Sequence, residues 1–220
     1  MRAIILNGHG GVDALGYVEN YPNPECGKDD VVVRVKSTSL NYHDIFTRNG
    51  MPGIKISMPM ICGLDVAGEI AEIGANVSGW KIGERVLIDP RNRVEGGLVG
   101  ETIHGGLAEY CRVKEHQLVR IPDGVSFDQA SSLPVAYGTA HRMMMTIGQV
   151  TSDDKILILG ASGGVGTGAL LLAKMAGAEV VVCASSDSKM EKLKSLGADH
   201  AMTYMTVSYT HLTLPTSRSV

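Results

Sequence analysis

The stretch ILILGASGGVGTGALLLAKMAGAEVVVCASS, residues Ile156 to Ser186, limits what this chain can fold into more than any other. An apolar run ends in a glycine-rich turn, a helix of small residues follows, and a second apolar run closes the unit. That order predicts a strand, a turn, a helix and a second strand parallel to the first. Glycines let a backbone bend tightly and come close to a pyrophosphate. The N-terminus of the following helix adds free N–H groups and a partial positive charge. The turn consists of Gly160, Ala161, Ser162, Gly163, Gly164, Val165 and Gly166, between strand and helix as phosphate binding requires. No Gly-Lys-Ser/Thr follows, which excludes a P-loop. The unit reads as half of a site for a nicotinamide-type dinucleotide. A turn used only for packing is the alternative.

The end of the second strand bears on which dinucleotide fits. An NAD site usually carries an acid there that grips the ribose hydroxyls. This chain has Ser185 and Ser186, with Lys189 one helical turn on. A carboxylate ~4 Å from a 2′-phosphate would oppose each of its charges by about 4 kcal/mol at an effective dielectric of about 20. Hydroxyls and an ammonium suit that phosphate, so the pattern favours NADPH over NADH. The alternative is that Lys189 is an ordinary solvated helix residue. Asp187 reads as the opening of the next helix, where Ser188 and Glu191 have the spacing of a capping box.

Upstream, the texture is that of strands and turns as far as Pro122. Residues 31–37 form a strand and residues 63–88 alternate apolar and polar positions with glycines at the bends. Residues 104–113 make a further turn and strand, and Leu40 to Gly50 reads as a short polar loop. Helical texture begins at Phe127, with Pro134 separating two helices, and strand–helix alternation starts at Lys155. This gives an α/β chain with a β-rich domain over 1–122 and the first part of a dinucleotide-binding domain over 123–206.

The final stretch, 207–220, has no apolar period. It resembles the translation of a transposon-type sequencing adapter, with an index giving Ser217, Arg218 and Ser219 ahead of Val220. It is set aside as a non-native tail, and the chain is expected to be an inactive, truncated part of a longer protein. The net charge of −3 gives no footprint for nucleic acid or an anionic membrane. No apolar run approaches the ~18 residues of a membrane span, and the N-terminus lacks a signal-peptide pattern. Cys26, Cys62, Cys111 and Cys183 are far apart without a C-x-x-C pair, as expected of reduced thiols in the cytoplasm.

Several ordered motifs carry a family resemblance: SLNYHDIFTRNG (39–50), GLDVAGEIAEIG (63–74), GWKIGERV (79–86), HGGLAEY (104–110), LPVAYGTA (133–140) and the glycine turn. Residues 1–206 resemble the medium-chain dehydrogenase/reductase superfamily, in which a GroES-like domain precedes a Rossmann domain with a doubly wound parallel sheet. The zinc alcohol dehydrogenases of that superfamily place metal ligands where this chain has Asn41, Leu64 and a residue near Ser131. Leu64 cannot coordinate, and an amide and a hydroxyl are poor zinc ligands. The loop from Pro90 to His104 holds none of the cysteines of a structural zinc lobe. His43, Asp44 and Asp65 are expected to form a polar network rather than a metal cluster.

The branch most similar is that of the zinc-free quinone oxidoreductases and related enoyl reductases, whose turn reads Ala-x-x-Gly-Gly-Val-Gly, with Ala161 at the first fingerprint position. The resemblance implies that Ser185, Lys189 and Tyr204 contact the 2′-phosphate. It also implies that Asn41 and Tyr42 lie beside the nicotinamide and that Thr139 opens a helix near it; Thr139 as a plain N-cap is the alternative. The enoyl-thioester reductases carry a tyrosine about ten residues beyond Asn41, which this chain lacks. The expected reaction is hydride transfer from NADPH to a quinone or an α,β-unsaturated carbonyl, in a homo-oligomeric parent acting on small molecules. Asn41 would orient a carboxamide or carbonyl, and Tyr42 or His43 would deliver a proton. His43 as a plain core or surface residue stays open. So do a zinc-type alcohol dehydrogenase and a non-catalytic NADPH-binding protein.

Overall fold

The computed structural model describes residues 1–204. They divide into two compact units, the first Met1–Val135 and the second beginning at Ala136. The tail discussed above, with Met205 and Thr206, lies outside the described residues.

The first unit contains β1 (Ala3–Leu6), β2 (Leu15–Val18), β3 (Asp30–Ser39), α1 (Tyr42–Asn49), β4 (Met60–Ile61) and β5 (Asp65–Ile73), followed by β6 (Arg85–Ile88), β7 (Tyr110–Lys114), β8 (Leu118–Arg120) and α2 (Phe127–Ser131). Five strands form an antiparallel sheet in the order β7-β3-β5-β6-β8, and β2-β1-β4 form a second antiparallel sheet. The β3–β5 pairing slips register between Val32 and Val33 and again between Val35 and Ser37. Such bulges raise the local twist and bend the sheet. Gly68 sits at the second slip, where a Cβ would run into the Arg34 backbone. Val31, Val33, Val66, Ile70, Val86 and Ile88 are buried together between these strands. Truncating one such residue to alanine costs on the order of 2–5 kcal/mol.

Two segments differ from what the sequence suggests. Leu40 to Gly50 is not a polar loop: residues 42–49 are helical. Its pattern is inverted, with polar Asp44 and Thr47 buried and apolar Tyr42, Ile45 and Phe46 exposed. Capping chemistry starts this helix, since Asp44 Oδ2 accepts the Asn41 backbone N–H at 2.8 Å. The second segment is α2, which belongs to the first unit although it follows Pro122. Ser126 caps it reciprocally with Gln129, at 3.1 and 2.9 Å. Its Ala130 is buried with Ala67 and Ile121.

The second unit runs α3 (Ala136–His141), a π-helical turn (Arg142–Ile147), β9 (Lys155–Ile158), α4 (Gly164–Met175), β10 (Glu179–Ala184), α5 (Asp187–Ser195) and β11 (His200–Thr203). The three strands are parallel in the order β11-β10-β9. This is one mononucleotide half of a Rossmann sheet. The middle strand, β10, is buried over Val180–Ala184, the continuous apolar run of a strand covered on both faces. Small residues on α4 let α3 come close: a Cβ on Gly168 would lie 3.1 Å from that of Ala140. Thr139 does not open α3 but is its fourth residue, because the helix starts at Ala136. Asp187 opens α5 as expected, with Ser186 as its N-cap. The expected Ser188–Glu191 capping box is not formed, because Ser188 is already inside the helix and its Oγ lies 3.2 Å from Ser186 Oγ. Among the described residues no helix is long and apolar enough to cross a membrane.

Candidate active site

In the second unit the glycine turn has a protein-facing side and an open side. Gly160 takes φ +67°, a conformation costly for other residues. Ala161 is fully buried, and its carbonyl accepts Thr167 Oγ1–H at 3.0 Å. A Cβ on Gly166 would lie 2.6 Å from the Gly160 carbonyl oxygen. Ser162, Gly163 and Gly164 are exposed, and a Cβ on Gly163 would approach nothing nearer than that same oxygen at 3.5 Å. Gly163 is the N-cap of α4, and no side chain caps the helix there. The first N–H groups of α4 thus face an open cradle of backbone and small side chains, with Val165 half-buried behind it. These residues fit a dinucleotide pyrophosphate.

At the end of β10, Lys189 Nζ donates to Ser185 Oγ at 2.9 Å, and both residues are exposed. The pair presents an ammonium and a hydroxyl together. Tyr204 stands at the far end of β11. Its hydroxyl accepts the Gly160 N–H and donates to the Cys183 carbonyl at 3.3 Å. The link between Tyr204 and the glycine turn had no signal in the sequence, because it spans 44 positions.

In the first unit a polar network surrounds Asp65, which is fully buried. Asp65 Oδ2 accepts from Asn41 Nδ2 at 2.8 Å and from Ser39 Oγ at 2.7 Å, while Oδ1 accepts the Val135 N–H at 2.9 Å. Asp44 Oδ1 accepts the Gly63 N–H at 3.0 Å. Burial raises the pKa of both carboxyls, and the hydrogen bonds pull in the opposite direction. Among the described residues no group of three or more His, Cys, Asp or Glu side chains is arranged to hold a metal ion. Asn41 is committed to Asp65 and Leu64 is buried. Ser131 pairs its Oγ with Ser37 Oγ at 2.9 Å.

The two residues that follow Asn41 differ in setting. Tyr42 is 76% exposed and packs its ring at 6.0 Å from that of Phe46. His43 is half-buried and places Nε2 2.6 Å from Glu101 Oε2. Glu101 was not among the residues that sequence reasoning selected. It lies 58 positions away in a loop without periodicity.

Residues 27–123 match the alcohol dehydrogenase GroES-like domain, and residues 164–213 match the zinc-binding dehydrogenase domain. The chain is 37% identical to a 2-methylene-furan-3-one reductase of Solanum lycopersicum and 35% identical to a chloroplastic NADPH-dependent alkenal/one oxidoreductase of Arabidopsis thaliana. Each alignment covers 93% of this chain and 52% of the relative. The chain therefore spans about half the length of these two curated relatives. Among solved structures, an NAD-dependent alcohol dehydrogenase superposes with a TM-score of 0.87 at 32% identity, over 93% of this chain and 64% of that one. The quinone oxidoreductase from Coxiella burnetii superposes with a TM-score of 0.82 at 30% identity, over 95% and 64%. The two domain matches, in the order of the two units, agree with the folds found there: the chain belongs to the medium-chain dehydrogenase/reductase superfamily, in its quinone oxidoreductase-like branch.

Proposed function

We propose that the chain is part of an NADPH-dependent oxidoreductase that, as the whole parent protein, reduces a quinone or an α,β-unsaturated carbonyl without a catalytic metal, the chain alone being inactive. The observation that carries this reading is the Asn41–Asp65 hydrogen bond. It commits the Asn41 amide to a carboxylate at a position where zinc dehydrogenases need a thiolate. The names of the relatives support the acceptor class. The match to a zinc-binding dehydrogenase domain spans residues 164–213, which include neither Asn41, Leu64 nor Ser131.

The bound dinucleotide would supply the hydride. The chain's own residues do the rest. Gly160 to Gly166 and the start of α4 hold the pyrophosphate. Ser185, Ser186, Lys189 and Tyr204 receive the 2′-phosphate end. Asn41, held at 2.8 Å by Asp65, would orient an amide or carbonyl oxygen, and Thr139 is the residue that family likeness assigns to the nicotinamide. Tyr42 or His43 supplies the proton that accompanies the hydride. NADPH preference is supported by the ammonium–hydroxyl pair at the end of β10. The partners are small molecules rather than nucleic acid or membrane, in keeping with a net charge of −3. All four cysteines are free thiols, which supports a reducing compartment such as the cytoplasm. A homo-oligomer follows from family likeness alone.

The test is NADPH oxidation by the longer parent protein, at the relatives' full length, against a panel of quinones, enones, aldehydes and simple ketones, with metal content measured on the same sample. Turnover of quinones or enones at sub-stoichiometric zinc is expected. Turnover confined to simple alcohols and their carbonyl partners, with stoichiometric zinc, would replace this reading with the alcohol dehydrogenase one.

A further inference from the structure

We propose that Glu101 is a positioning residue for His43, and that this pair, rather than Tyr42, delivers the proton that completes reduction of the acceptor. The inference rests on the oxidoreductase reading above and names a proton donor within it.

The geometry starts from backbone packing. Gly100 takes φ +78°, and a Cβ on it would lie 2.8 Å from the Gly63 backbone. The loop carrying Glu101 therefore sits directly on the Gly63 segment. The loop closes on itself through Gly100 N–H to the Ile103 carbonyl at 2.7 Å and Glu101 N–H to the Leu98 carbonyl at 3.1 Å. From the other side, Gly63 N–H is held by Asp44 Oδ1 at 3.0 Å. Asp44 is the next residue after His43 on α1. One chain of contacts thus fixes both partners of the His43–Glu101 pair.

The pair itself is short and mostly enclosed. Nε2 of His43 lies 2.6 Å from Glu101 Oε2, with side-chain exposures of 27% and 11%. A carboxylate only accepts, so Nε2 carries the proton and donates it to Glu101. That leaves Nδ1 as the ring nitrogen for exchange with an acceptor. The order matches the logic of a carboxylate that fixes the tautomer and orientation of a catalytic imidazole. Tyr42, also just after Asn41, lies on the exposed face of α1 with its ring against Phe46.

A bound NADPH would supply the hydride for the electrophilic carbon of the enone or quinone, and with it the two electrons of the reduction. The displaced π electrons move to the carbonyl oxygen. His43, protonated on both ring nitrogens for this step, releases its Nδ1 proton to the resulting enolate and becomes neutral. With a quinone the product then tautomerises to the hydroquinone, its tetrahedral ring carbon losing a proton to solvent as the oxygen gains one. The other proton stays on Nε2, donated to the Glu101 carboxylate, and solvent restores the Nδ1 proton.

The experiment has two arms. In the first, nitrogen-15 histidine labelling reads the His43 ring by NMR with no dinucleotide present. A slowly exchanging, strongly downfield Nε2–H is expected, absent in Glu101→Gln and in His43→Asn. In the second, NADPH-linked turnover of the longer parent protein is measured together with its dissociation constant for NADPH. His43→Asn is expected to lower kcat about 100-fold or more, with KM for the acceptor and NADPH affinity little changed. Glu101→Gln should lower kcat through the same step, and the double variant should be no slower than the slower single one. Glu101→Asp, a shorter carboxylate, should recover part of the loss. Multiplicative losses in the double variant, or full turnover in Glu101→Gln after loss of the Nε2–H signal, would overturn the proposal. An intact Nε2–H signal with no acceptor turned over would instead remove the oxidoreductase reading, and the proton-delivery role with it.

Discussion

Gly166 faces the Gly160 carbonyl so closely that a Cβ on it would stand 2.6 Å from that oxygen and 2.7 Å from Ala161 Cα. Both obstacles are backbone and cannot swing away. Gly163, three residues earlier, meets only that same oxygen at 3.5 Å, an ordinary contact. The two glycines therefore serve different ends, one to close the turn and the other to leave room outside it.

Alanine substitutions separate these roles. Gly166→Ala is expected to destabilise the protein by about 1–3 kcal/mol through overpacking and to lower NADPH affinity along with it. Gly163→Ala should leave the denaturation midpoint within about 0.5 kcal/mol of the original and still weaken NADPH binding. Urea denaturation and ligand titration on both variants check this. Full affinity in a stable Gly163→Ala protein would show that no ligand comes close to that residue.

Removal of Lys189 should act on one cofactor only. Its ammonium sits 2.9 Å from Ser185 Oγ in the open, where it opposes no burial cost of its own. Lys189→Ala is expected to weaken NADPH by about 1–3 kcal/mol and to leave NADH almost unchanged. Low-salt dissociation constants for both dinucleotides test it, because screening reduces the contribution as salt rises. An equal loss for both would mean that Lys189 supports α5 rather than recognising a phosphate.

How much of this was legible in the sequence depended on how local each signal is. The glycine turn, the buried β10 strand and the helix break at Pro134 are written within a few consecutive residues, and they were read correctly. Helix α1 was missed because its burial is inverted: Asp44 and Thr47 point inward, so the apolar period that marks a helix faces outward at Tyr42, Ile45 and Phe46. Only the Asn41–Asp44 capping spacing could have signalled it. The sequence places Asp65 in a polar network with His43 and Asp44. Its contacts instead run to Ser39, Asn41 and Val135, while His43 turns to Glu101. Those partners are chosen by bulges and glycine contacts between distant strands, which no window along the chain displays.

The thiols give a prediction independent of any ligand. Burial pushes Cys62 up to about 11, with the Asp44 charge adding to it, and pushes Cys111 up to about 12 against the opposing Arg112 charge. Thiolate is the reactive form, so both should resist alkylation at pH 8 in the folded protein. Cys26, only half-buried, should react first despite an upward shift from burial and the Glu72 charge. Mass spectrometry of partially alkylated peptides, native and in urea, reads the order. Rapid labelling of Cys111 before Cys26 would show that the β3–β7 edge opens.

Asp65 links the network to stability. Three donors meet one buried carboxylate, from Ser39, Asn41 and Val135. Asp65→Asn removes the charge but replaces one acceptor oxygen with a donating NH₂, so at least one of the three is left facing a donor. The expected cost at pH 7 is about 1–3 kcal/mol, even though burial penalises the charge that has been removed. The pH dependence follows from the direction of the shift. Burial raises the folded-state pKa of Asp65 above its ordinary 3.8. Between those two values the native state holds more protons than the unfolded one, so this group makes stability fall as pH rises through that window. Asp44, raised for the same leading reason, adds a contribution of the same sign. The difference in stability between the unmodified protein and Asp65→Asn isolates the one group. Plotted against pH from 4 upward, it should shrink as pH rises from 3.8 through the folded-state value and then level off. A difference that grows over that range would mean that the hydrogen bonds outweigh burial and hold the Asp65 pKa below 3.8.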